Sequence, residues 1–124
     1  MLACHGSSIN GYAFYLLKGV PVLYYNAIHP SACRVTGVKL SPGRHTLVAR
    51  VALDEKRPGS AATLSIEADG LVAAKGRIDR TLKTFLNQNG FNVGGDTVSP
   101  VSPDYQLEES EFDGELPYLL VDLD

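Results

Sequence analysis

The chain has 124 residues, 44% of them apolar and 20% charged, with a formal net charge of −3. That length suits one domain, residues 1–124, built on a single core, and the composition excludes a disordered or fibrous chain. No apolar run reaches the roughly 18 residues of a membrane-spanning helix, and mild acidity gives no reason to expect nucleic acid, so neither a membrane nor a nucleic acid is expected as a partner.

In chain order, Leu2-Ala3-Cys4 opens the sequence. It faintly resembles a lipoprotein cleavage box but has no charged, apolar leader before it, so no targeting signal is read there. Tyr12–Leu17 and Val20–Tyr25 are rich in aromatic and branched residues and flank Lys18-Gly19. Two such runs around a glycine dipeptide predict a β-hairpin. Ser41-Pro42-Gly43 predicts a turn. From His45 to Asp54, Leu47, Ala49, Val51 and Leu53 alternate with Thr46, Arg50 and Asp54, as in a strand with one dry face. Ala62–Glu67 alternates more cleanly, Asp69-Gly70 is a strong hairpin dipeptide, and Leu71–Ile78 returns. Arg80–Asn87 holds one helical turn at most. Phe91–Tyr105 (FNVGGDTVSPVSPDY) crowds glycine, proline, aspartate and hydroxyl residues together and predicts an ordered, non-repetitive loop, neither helix nor sheet. Leu116–Leu123 is the last expected strand, with Leu119, Val121 and Leu123 on one face.

Short strands, turn signals and no intervening helices predict an all-β, antiparallel sandwich, with a jelly-roll order preferred. Parallel βαβ units are excluded because the connections are too short for a crossover.

The charge is unevenly distributed. Every Lys and Arg lies at or before Lys83, where eleven bases less five acids leave +6, and the remaining nine acids lie beyond it. Interleaving of the two parts in the fold explains this most simply; a cation-binding or basic-partner surface is the sharper reading.

Several constellations bear on function. Cys4 and Cys33 are too few and too far apart for a metal site, and are either two free thiols or one disulfide. Glu111, Asp113 and Glu115 would share one face of a strand, the arrangement of a retaining glycoside hydrolase. Gly114 between them and the absence of Trp favour a solvated acidic turn instead. Asp96 and Asp104, with nearby hydroxyls, are candidate calcium ligands, weighed against Asx and Ser/Thr turns that use the same side chains locally. Tyr12, Phe14, Tyr15, Tyr24 and Tyr25, with Tyr105, are candidates for stacking on sugar rings, weighed against core packing. His5, His29 and His45 are spaced too irregularly for a metal site or a catalytic dyad.

A family resemblance runs through these segments in order. Gly11–Asn26 (GYAFYLLKGVPVLYYN), Leu40–Leu47 (LSPGRHTL), Ala61–Gly70 (AATLSIEADG), Lys75–Thr81 (KGRIDRT), Phe91–Tyr105, Phe112–Gly114 and Val121–Leu123 resemble successive stretches of the C-terminal domain of bacterial type I arylsulfatases. The resemblance spans residues 2 to 123. It implies a concanavalin-like β-sandwich, and the part of such enzymes that carries no catalysis. The sulfatase nucleophile in that family lies in C/S-x-P-x-R beside a carboxylate-bound calcium; neither Cys33-Arg34-Val35-Thr36-Gly37 nor Cys4-His5-Gly6-Ser7-Ser8 fits that pattern. No sulfatase residue carries over, and no enzyme activity is expected.

Two departures stand out. Glu55–Gly59 replaces a longer glycine-rich insert. Leu2–Gly6 resembles the end of the family's second strand, so a first strand is expected to be missing. Leu116–Leu123 would then lack its neighbour, and an unpaired apolar edge invites a second copy, giving an expected homodimer, weighed against an edge shielded by Pro117 and the nearby acids. Protein–protein association, through self-association or docking to a sulfatase-like domain, is the expected function, with glycan binding as the alternative.

Overall fold

Two tight turns organise the fold. Lys18 and Gly19 have φ of 52° and 80°, and Asp69 and Gly70 have 52° and 85°. Positive φ at both central residues is the type I′ geometry whose twist matches that of paired strands. Each therefore closes a hairpin at the dipeptide expected from the sequence. The computed structural model describes residues 2–6, 10–27, 32–57, 59–81, 91–93, 102 and 104.

Among these, eight strands are formed: β1 Ala3–Gly6, β2 Asn10–Leu17, β3 Val20–Ala27, β4 Ala32–Thr36, β5 Leu47–Leu53, β6 Ala62–Ala68, β7 Leu71–Ile78 and β8 Phe91–Val93. They make two antiparallel sheets, one ordered β4-β3-β2-β1-β8 and one ordered β5-β6-β7. Four consecutive strands form the first meander and three the second. Residues 37–46 carry the chain from one sheet to the other. The all-β, antiparallel expectation holds.

Two corrections follow from the strand assignments. Phe91–Tyr105 does not begin as a loop: Phe91, Asn92 and Val93 pair with His5, Cys4 and Ala3 as β8. The three residues precede Gly94-Gly95 and both prolines, so nothing in them denies the ladder its donors. β1 accordingly has neighbours on both sides, β2 and β8. β4 is a strand that the periodicity did not predict. The expected final strand Leu116–Leu123, and all but two residues of Arg80–Asn87, lie outside the described residues.

Alternation sorts the side chains of the larger sheet onto two faces. The inner face carries Leu23, Tyr25, Ala27 and Val35, which meet Ala62, Leu64, Ile66 and Ile78 of the smaller sheet. Tyr12, Phe14, Cys33 and Ala74 pack against this cluster. β4 lies over β7 and β3 over β6. The closest approach is at Gly76, where an added Cβ would stand 2.8 Å from Val35 Cγ2 and 3.2 Å from Cys33 Sγ. A side chain there would force the sheets apart.

The outer face is also buried. Cys4, Ala13, Tyr15 and Val22 form a second cluster, with Tyr24 packed against it. Neither Cys4 nor Cys33 is in a disulfide, and the alternation places them on opposite faces of the sheet. That resolves the cysteine question against a disulfide between them.

Candidate functional site

Tyr15 stands at the centre of the outer face. Its phenolic oxygen is 2.6 Å from Asp104 Oδ2 and 2.7 Å from Ser102 Oγ. The phenol has one proton, and the carboxylate only accepts, so Tyr15 donates to Asp104. Ser102 must then donate to Tyr15. Ser102 Oγ in turn accepts from the Asp104 backbone N–H at 3.2 Å. The three groups close a ring of hydrogen bonds on a buried tyrosine. The Asp104 backbone contact is the local Ser/Thr turn weighed for these residues above.

Arg34, from β4, completes the cluster. Its Nη2 donates to Asp104 Oδ1 at 2.8 Å, so both carboxylate oxygens are engaged. The guanidinium carbon lies 5.4 Å from the centre of the Tyr24 ring, in cation–π range. Register explains the meeting: Tyr24 is opposite Arg34 across β3 and β4, and Tyr15 is opposite Val22 across β2 and β3. Burial, reinforced by the hydrogen bond to Asp104, pushes the Tyr15 phenol well above its ordinary range. The group is a fixed donor, the opposite of a phenolate nucleophile. A cation at Asp104 would have to displace the guanidinium.

The tyrosines named from sequence do not form one platform. Tyr15 and Tyr24 lie on the outer face, whereas Tyr12 and Tyr25 belong to the packing between the sheets. Tyr12 makes an edge contact with His5, ring centres 5.9 Å apart, and burial raises its phenol. Tyr105, Asp96, Glu111, Asp113 and Glu115 lie outside the described residues. Among the described residues no group of three His, Cys, Asp or Glu side chains is placed to hold a metal ion, and no helix is long and apolar enough to cross a membrane. Arg34 was not anticipated. Its signal was there in outward-facing Arg34 between Cys33 and Val35, but over too short a span.

Two further polar clusters secure the ends of the sandwich. At one, His45 Nδ1 lies 2.7 Å from Asp69 Oδ2 and Nε2 lies 2.6 Å from the Ser41 carbonyl. Both partners are pure acceptors, so the ring satisfies both only as the imidazolium. Asp69 Oδ1 accepts from the Thr46 N–H at 2.9 Å, and the Asp69 N–H donates to the Thr46 carbonyl at 2.8 Å. At the other end, the buried Ser60 carbonyl accepts from the Thr81 N–H and hydroxyl. Ser60 Oγ accepts from the Glu55 N–H. Arg77 grips Asp54 with both terminal nitrogens, and Arg57 pairs with Glu55.

Compared with protein-family models, curated proteins and solved structures, the chain matches none. The functional reading therefore rests on its own geometry and on the resemblance set out above.

Proposed function

We propose that this chain is a non-catalytic β-sandwich module for protein–protein association, by self-association or by docking to a sulfatase-like catalytic domain. The arylsulfatase C-terminal resemblance, with its concanavalin-like jelly roll, belongs to this proposal. One observation carries it. Among the described residues β5 is hydrogen-bonded only to β6, and the row that should face inward includes Val51 and Leu53, which stay 38% and 43% exposed. An edge strand with an uncovered apolar row is a template for a further strand or a partner surface.

A homodimer joined through β5, a different edge from the Leu116–Leu123 edge expected from the sequence, is one form of this association. Light scattering at micromolar concentration should report a mass above the monomer, or a mixture with a sulfatase-like catalytic domain should form a complex. Val51→Glu should weaken either one. A monomer that also ignores the catalytic domain would sink the proposal.

Glycan binding is the second reading, favoured by Tyr24 and Arg34 standing side by side on the outer face. A ring face and a partly exposed guanidinium suit a polar sugar. Calorimetric titration against a saccharide panel should then give heat that Tyr24→Ala removes. Silence across the panel discards this reading.

A further inference from the structure

We propose that one end of the sandwich is a peripheral docking surface for an anionic phospholipid bilayer. This contact requires no spanning helix and does not depend on the association surface at β5. The β2–β3 turn, the 37–46 crossover and the β6–β7 turn meet at this end. The Leu40 N–H donates to the Gly19 carbonyl at 2.9 Å, joining the crossover to the first turn. His45 and Thr46 join it to Asp69 in the second.

Six large hydrophobic side chains are exposed among the described residues, and four of them lie here: Leu17, Val38, Leu71 and Val72. Val38 is 62% exposed and Leu71 is 76% exposed, so these are projecting side chains, not the margins of a core. They sit beside the turn and crossover residues that carry exposed Lys18, Lys39 and Arg44. None of these three bases has an ion pair with a described residue. The acid within these turns, Asp69, is engaged by His45. At the opposite end the arrangement differs, since Arg77 and Arg57 are held by Asp54 and Glu55.

Charge decides between occupants. A second copy docked through the same end would set lysine against lysine. Nucleic acid would use the bases but leave four aliphatic side chains in water, with no Phe, Tyr or Trp among the described residues of these turns to stack on. An anionic bilayer uses both components: the aliphatic tips enter the interface while the ammonium and guanidinium groups meet lipid phosphates.

Co-sedimentation of the full chain with vesicles is the test. Binding is expected to an equimolar mixture of phosphatidylcholine and phosphatidylserine, little to phosphatidylcholine alone, and less as salt rises. Leu71→Glu with Val72→Glu should abolish it. The triple change Lys18→Gln, Lys39→Gln and Arg44→Gln should weaken it about a hundredfold. Nitroxide-labelled lipid in the wild-type complex should broaden the amide signals of residues 17–19, 38–44 and 70–72, which keeps the test independent of variant folding. The proposal is overturned if anionic vesicles leave the chain in the supernatant, or if broadening falls elsewhere. It also fails if both variants bind undiminished, if polyglutamate or nucleic acid binds more tightly than the vesicles, or if the Leu71/Val72 variant simply dissolves a dimer.

Discussion

Tyr15 is the residue on which the outer face turns. Tyr15→Phe would leave Ser102 and Asp104 short of a partner in a buried place, at a cost of about 1–2 kcal/mol in denaturant titration. The phenol also carries a pH signature. Its pKa is raised in the folded state, so its contribution is present below the ordinary 10.0 and is lost as pH rises through the folded value. Alkaline difference spectra should show a late-titrating tyrosine that Tyr15→Phe removes. His45 and Asp69 give a second signature. The hydrogen bonds to Asp69 and to the Ser41 carbonyl raise the His45 pKa, so that contribution is full below the ordinary 6.5 and fades as pH rises through the raised value. The hydrogen bond from His45 lowers the Asp69 pKa, so that contribution is full above the ordinary 3.8 and fades as pH falls through the lowered value. The pair is therefore at its tightest between those two ordinary values. Proton NMR of the His45 ring should place its midpoint above that of an unstructured histidine, and Asp69→Asn should bring it down. An unchanged midpoint would show that the pair does not hold in solution.

At the scale of elements, the turns were legible because each is a local backbone rule written in two residues. Lys18 nevertheless stands at a left-handed φ that a long side chain adopts at a cost, whereas asparagine tolerates it. Lys18→Asn should raise stability by about 0.5 kcal/mol in a thermal or denaturant melt. Gly76→Ala should do the reverse, costing about 1–3 kcal/mol through overpacking against Val35. β4 escaped the periodicity reading because only Val35 of its five residues is fully buried. β8 escaped because three residues are too few to show a period and the glycines that follow them dominated the reading.

Across the whole molecule, strand content and the inter-sheet core follow from alternation, which any stretch of chain displays by itself. Leu64→Ala, at the centre of that core, should cost about 2–5 kcal/mol and lower the midpoint of a cooperative melt accordingly. The ring around Tyr15 was not legible in the same way. Tyr15 read as one aromatic in a strand and Asp104 as one carboxylate in a loop, and no pattern links positions separated by most of the chain. Arg34 and Asp104 meet only because the sheet order brings β4 within two strands of β2.

The pairing of β1 with β8 has a kinetic consequence. The two local hairpins require only short loops to close, whereas Ala3 must wait for Val93. A chain still emerging from the ribosome can assemble both meanders while one rim of its larger sheet remains unsealed. Folding should therefore show a slow final phase set by long-range closure. A polypeptide ending at Thr81 should keep that rim open and prove prone to aggregation during refolding.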